Sequence, residues 1–159
     1  MSSIFRRAWS DYLQPLLTRP DRFQVAALCY RRQGGRFEVL LISSLHTGRW
    51  ILPKGWPMKG RDAAEAAATE AWEEAGAIIS DLKKAPLGTY RYRKILRGGA
   101  EVPCETLVFP MEVRALAEDF PQAARRARAW MTPEEAADAV DEPGLQELLL
   151  EIEARLGEV

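Results

Sequence analysis

The order of apolar and polar segments predicts an α/β (α+β) domain, a mixed β-sheet sandwiched between α-helices. Three observations carry this prediction. β-rich apolar runs lie on both sides of an alanine-rich stretch, that stretch has capping signals at both ends, and a further helical segment closes the chain.

Residues 4–18 set Ile4, Ala8, Trp9, Tyr12, Leu13 and Leu16 along a helix-like stripe that Pro20 ends. Residues 1–22 therefore read as an N-terminal arm or helix packed on a main domain at 23–156. The run 23–30 is apolar and β-rich, 31–36 is a polar turn containing Gly34 and Gly35, and 37–43 is the partner strand of a hairpin. Trp50, Ile51 and Leu52 then lead into a loop at 53–60 that is dense in proline and glycine. The helix is expected at 62–75. Asp62 is its N-cap, Glu65 completes a capping box, and Gly76 stands where a left-handed C-cap glycine belongs. Its repeated alanines allow close approach to a sheet. A second hairpin follows, with strands at 87–96 and 105–113 around a turn at 97–100. Thr132 before Pro133 marks another helix start, and a last helix is expected from 145 to 156.

The 159 residues suffice for one domain with its own core. With 22 Lys+Arg against 23 Asp+Glu, the chain has no global attraction for nucleic acid or anionic membrane, so a polyanion site must come from local clustering. Cys29 and Cys104 lie in apolar settings outside any zinc spacing and read as buried thiols. A single histidine, His46, excludes mechanisms that need two. No apolar run is long enough for a membrane-spanning helix. The arginines near the N-terminus give a trace of transit-peptide character that Asp11, Pro15 and Pro20 interrupt, and a cytoplasmic location is expected.

Glu70, Glu73 and Glu74 stand at i, i+3 and i+4, on one face near the end of the expected helix. Like charges at this spacing oppose each other by about 0.2–0.5 kcal/mol per pair. The helix dipole makes the last turn a poorer place still for negative charge. One reading is a solvated acidic face; the other is a site for a hard divalent cation such as Mg²⁺, which takes oxygen ligands. Gly55 opening the preceding loop and Gly76 stopping the helix favour the second. They make a loop–helix–loop unit able to bring carbonyls and carboxylates onto one ion.

Residues 55–77 resemble the Nudix box, a glycine, five residues, a glutamate, seven residues, then REUxEExGU with U apolar. Gly55 fills the first position, Glu70, Glu73, Glu74 and Gly76 fill later ones, and Ala71 and Ala77 take the apolar places. The flank from Trp50 to Lys54 and the strand at 37–43 are also similar, and the likeness spans roughly residues 23 to 150. The resemblance implies the Nudix fold and water attack on a phosphoanhydride bond of an organic diphosphate. It implies Mg²⁺ or Mn²⁺ on the Gly55 carbonyl, Glu70, Glu73 and Glu74, with Glu73 and Glu74 catalytic. Two positions depart: Arg61 replaces the first glutamate and Thr69 the arginine before Glu70. In the family these two pair and orient the metal-binding glutamates. Here both are replaced together, so neither is stranded. Arg61 is then expected to meet Glu65, four residues on.

A small-molecule organic diphosphate is the implied partner. Its charge calls for cations, and Arg49, Lys54, Arg91, Arg93, Arg126 and Arg128 are the candidates, Arg91 and Arg93 by period-two spacing on one strand face. Glu105, Glu112 and Glu118 are candidate general bases among which the sequence does not choose. Trp56 could stack on a base, Trp72 is expected in core or rim packing, and His46 has no expected role. The motifs are most similar to the branch of diphosphoinositol polyphosphate and diadenosine polyphosphate hydrolases. A binding module weakened by Arg61 and Thr69, and an RNA 5′-end pyrophosphohydrolase, are the alternatives; the near-neutral charge disfavours the RNA reading. Oligomeric state is left open.

Overall fold

The computed structural model describes residues 23–157, so the arm expected at 1–22, with its stripe at 4–18, lies outside the described residues. Eight strands and four helices follow in the order β1 (Phe23–Gln33), β2 (Arg36–Ser43), β3 (Trp50–Ile51), β4 (Lys54–Gly55), α1 (Ala63–Ala75), β5 (Ala77–Ile79), β6 (Gly88–Ile95), β7 (Glu101–Leu116), β8 (Arg128–Met131), α2 (Pro133–Ala139), α3 (Pro143–Leu150) and α4 (Ile152–Leu156). The sheet is ordered β3-β2-β1-β7-β5, with β4 added to β1, β6 to β7 and β8 to β2. Strands β1 and β7 run parallel at its centre, and the other pairs are antiparallel. This is the expected mixed sheet between helices.

Strand β1 is buried at every position from Phe23 to Tyr30 because both faces of the sheet are covered. On one face Val25, Ala27, Cys29, Leu107 and Phe109 pack with Ala64, Ala67, Ala71 and Ala75 of α1. On the other, Ala26, Leu28, Leu41 and Val108 meet Ala136, Leu145, Leu148, Leu149 and Ile152. Cys29 and Cys104 are buried and not joined in a disulfide. Among the described residues no helix is long and apolar enough to cross a membrane.

Helix α1 begins and ends as its sequence predicts. The Glu65 N–H donates to Asp62 Oδ1 at 2.8 Å, the Asp62 N–H donates to Glu65 Oε1 at 3.0 Å, and Gly76 closes the helix at φ 65°. A Cβ at Gly76 would combine left-handed strain with a 2.5 Å approach to Phe120 Cδ1. Gly76→Ala is expected to cost about 2–4 kcal/mol, read as a lower denaturation midpoint at unchanged slope.

Elsewhere the structure corrects the expectations. The first hairpin turn is only Gly34-Gly35, both at positive φ as a primed two-residue turn requires. Arg31 and Arg32 stay in β1, where Arg31 donates to Glu38 across the ladder at 2.9 Å and lies over the Trp130 ring. The short strands β5 and β8 are too brief to show alternation in the sequence. The expected helix at 145–156 starts earlier, with Pro143 in its first turn, and breaks at Glu151 (φ −101°, ψ 3°) into α3 and α4. Trp72, expected to pack, is 40% exposed because Ala71 and Ala75 take the sheet side of α1.

Candidate active site

The last turn of α1 is held over the loop that enters it. Strand β4 pairs with β1 through Val25–Gly55 and Ala26–Lys54, and the Ala27 N–H donates to the Pro53 carbonyl at 3.0 Å. The Lys54 N–H in turn donates to Glu74 Oε1 at 3.3 Å. The Glu70 carboxyl lies against Gly55 so closely that a Cβ there would stand 2.5 Å from Glu70 Cδ. Glu70 and Glu74 are both buried, at 9% and 5% exposure, which excludes the reading of a solvated acidic face. Glu73 is half-buried beside them.

Burial pushes the Glu70 carboxyl up to about 8, helped by its hydrogen bond to Glu74 and by the charges of Glu74 and Glu73, while Arg126 works in the opposite sense. A carboxyl raised above its unfolded value favours the protonated fold, so its contribution is complete at low pH and is lost as pH rises through about 8. The metal-free protein is therefore expected to lose melting temperature between about pH 4.5 and 8. Glu70→Gln should flatten that fall, and Mg²⁺ should raise the melting temperature more at pH 9 than at pH 6. Thermal denaturation of both proteins with and without MgCl₂ checks this.

The segment after β7 docks on the same helix end. Phe120 packs at Gly76, and the Gln122 N–H donates to the Glu73 carbonyl at 3.0 Å. Arg128, expected at the substrate, is engaged otherwise: its Nη1 donates to the carbonyls of Ala75 at 3.0 Å and Ala117 at 2.7 Å, and its guanidinium lies over Phe120. It thus supplies, from β8, the cation that the last turn of α1 lacks. The Arg126 side chain is buried, with Nη2 3.4 Å from Glu74 Oε1.

Lys54 and Arg49 project to the other side. The Ala26–Lys54 register puts the Lys54 side chain on the face covered by α2 and α3, where its ammonium stands over the Tyr92 ring at 5.2 Å. Burial pushes that ammonium down to about 8, against the pull of Glu74. Arg49 is ion-paired with Glu142, a buried carboxylate just before α3, and reaches Asp141 at 3.9 Å. Tyr92 donates its hydroxyl proton to buried Gln24 on this side. Arg91 is exposed and paired with Glu105, and Arg93 is exposed on the same strand face. Glu112 lies at the Tyr30 hydroxyl, Glu118 is exposed after β7, and His46 is an exposed loop residue. Trp56 is 42% exposed with the Lys94 ammonium over its ring. Sequence reasoning missed Glu142, Gln122 and Phe120, since nothing in their local sequence marks long-range partners.

A family model described as the NUDIX domain matches residues 21–151. The chain belongs to the Nudix family. Nudix hydrolase 12, mitochondrial, of Arabidopsis thaliana is 32% identical over 106 residues, 65% of this chain and 52% of that one. The chain thus spans about half the length of this plant relative. Diphosphoinositol polyphosphate phosphohydrolase 3-alpha of Homo sapiens is 30% identical over 121 residues, 74% of this chain and 69% of that protein. A crystal structure of C. elegans Ap4A hydrolase is similar with a TM-score of 0.61 at 21% identity, covering 85% of this chain and 98% of that one. At that identity the likeness is one of fold.

The two departures from the Nudix box meet each other. Arg61 donates to the Thr69 hydroxyl, which itself donates to the Glu65 carbonyl at 3.0 Å. The expected Arg61–Glu65 contact is not the one formed, because the Glu65 carboxylate is occupied by the capping box and faces Lys84 at 3.9 Å. Among the described residues no three His, Cys, Asp or Glu side chains converge as a ready-made metal site. Two carboxylates do meet, Glu70 and Glu74, and Mg²⁺ is commonly held by one or two carboxylates with waters and substrate phosphates in its other positions. Two buried, mutually repelling carboxyl groups against a glycine fit such an ion.

Proposed function

We propose that this Nudix protein is a pyrophosphohydrolase that uses Mg²⁺ or Mn²⁺ to cleave a phosphoanhydride bond in an organic diphosphate. The observation that carries the reading is the meeting of two buried carboxylates, Glu70 against Gly55 and Glu74 on the Lys54 N–H. Such a pair is unfavourable as two anions and becomes favourable around a divalent cation. When bound, the ion would neutralise phosphate oxygens and activate water.

Glu70, Glu74 and the Gly55 carbonyl would hold the ion. Glu73, half-buried on the same helix face and fixed through its own carbonyl by Gln122, would receive a proton from the attacking water. Lys54 and Arg49, on the opposite face of the sheet, and Arg91 and Arg93 would be outlying cations for the remoter phosphates of the substrate. Diphosphoinositol polyphosphates and dinucleoside polyphosphates are the substrate classes favoured, in keeping with the names of the human relative and the nematode structure.

A panel of dinucleoside polyphosphates, diphosphoinositols and nucleotide sugars with Mg²⁺ or Mn²⁺ tests this. Phosphate or nucleotide release that stops on chelation is expected; release that survives chelation would refute the reading. The Arg61–Thr69 replacement supports one alternative, a ligand-binding module with little turnover. Substantial hydrolysis by the unsubstituted chain would defeat that alternative.

A further inference from the structure

Three carboxylates end one helix face, and that helix has no basic residue in its last turn. Residue 69, one turn before Glu73, is an uncharged threonine tied to Arg61. The cation that meets the carboxylates comes from far along the chain. The Arg126 side chain is 6% exposed, and each nitrogen of its guanidinium has an assigned partner. Nη2 stands 3.4 Å from Glu74 Oε1, Nε donates to Gln122 Oε1 at 2.6 Å, and Nη1 donates to the Ser43 carbonyl at 3.0 Å. Those partners are themselves fixed. The Gln122 N–H is bonded to the Glu73 carbonyl, and the Ser43 N–H donates to the Ala127 carbonyl at 3.0 Å while Ser43 Oγ accepts a 2.8 Å bond from the Ala127 N–H.

We propose that Arg126 is the positioning residue of the carboxylate site, holding Glu74 from outside α1 in the orientation in which Glu74 and Glu70 can share one cation. This rests on the reading of those two glutamates as cation ligands. The planar guanidinium spans three acceptors at fixed angles, so it transmits the rigidity of β2 and the docked segment to one carboxylate oxygen. A lysine would reach Glu74 as a point charge without holding Gln122 and Ser43 together. The assignment departs from the expectation that Arg126 contacts the substrate: its side chain is buried, and each of its three nitrogens already faces a protein acceptor.

The test is Mn²⁺ binding without substrate, followed by the electron paramagnetic resonance signal of free Mn²⁺. Unsubstituted protein, Arg126→Gln and Arg126→Lys are compared, with Arg61→Glu/Thr69→Arg made in both the native and the Arg126→Gln backgrounds. An arginine at 69 stands at i, i+4 from Glu73 and beside Glu70, and the acid at 61 replaces the guanidinium that now occupies its place. Arg126→Gln should weaken Mn²⁺ binding about 10–100-fold, the range seen when a partner that orients metal ligands is removed. Arg126→Lys should recover part of the affinity, which also covers the case in which the glutamine variant does not fold. The Arg61→Glu/Thr69→Arg pair should recover part of it in the Arg126→Gln background while changing the native protein little. A purely structural role for Arg126 would not give that rescue.

Mn²⁺ affinity indifferent to residue 126 in folded protein would overturn the proposal alone. So would a loss confined to KM for a diphosphate substrate, which would make Arg126 a substrate contact. Failure of the unsubstituted protein to take up Mn²⁺ would instead overturn the metal reading beneath it.

Discussion

Glu74→Gln is expected to lower turnover by on the order of a thousandfold, about 4 kcal/mol of transition-state stabilisation. The substitution keeps shape and volume and leaves an oxygen able to accept the Lys54 N–H, so the loop entering α1 keeps its anchor. The charge is what disappears. Glu74 is 5% exposed and faces Arg126, so an amide there leaves a buried guanidinium without its anion and removes one of the two carboxylates that meet. Loss of a counter-ion and loss of a metal ligand differ in their signatures. The first lowers melting temperature with or without Mg²⁺, whereas the second abolishes the stabilisation that Mg²⁺ gives. Melting curves with and without Mg²⁺, beside steady-state kcat, separate the two. Retention of full kcat would remove Glu74 from the site.

Gly55→Ala is expected to spare the fold and disable the site. The new Cβ would meet the end of a flexible side chain, since its three nearest neighbours are all atoms of the Glu70 carboxyl. Gly55 also lacks the positive φ that would strain an alanine. Glu70 can therefore yield by rotating away, and the stability cost stays near 1 kcal/mol, the low end for inserting a methyl into a packed site. The same rotation takes the Glu70 oxygens off the point they share with Glu74. Metal affinity should fall more than tenfold and kcat with it, since catalytic geometry tolerates displacements well under 1 Å. Isothermal titration with Mn²⁺ alongside urea unfolding reads both quantities. Unfolding with intact affinity would mean that the glycine serves packing alone.

Both variants act on features that were open to sequence reading to different degrees. Helix α1 was legible end to end because Asp62, Glu65 and Gly76 act over four residues, the range at which local sequence determines backbone. The shared face of Glu70 and Glu74 follows from the same periodicity. The depth of their burial does not, since it depends on β1 and the loop at Gly55 lying across that face. Lys54 illustrates the limit well. Adjacency to Gly55 placed it at the site, yet strand pairing with Ala26 turns its side chain to the opposite face of the sheet. The sequence offers Arg126 and Arg128 alike as substrate cations, but Arg126 precedes β8, Arg128 opens it, and they are consumed separately, one by Glu74 and the other by the end of α1. Residues 28 to 53 positions away decide such fates, and no local pattern encodes them. The two-residue strand β4 was invisible for a related reason: its pairing is specified by β1, not by its own composition.

The most direct measurement is the anomalous difference density of crystals grown with Mn²⁺. A peak about 2.1 Å from carboxylate oxygens of both Glu70 and Glu74, and within reach of the Gly55 carbonyl, is the predicted result. Crystals saturated with Mn²⁺ that show no peak there, with the two carboxyl groups still in contact, would contradict it.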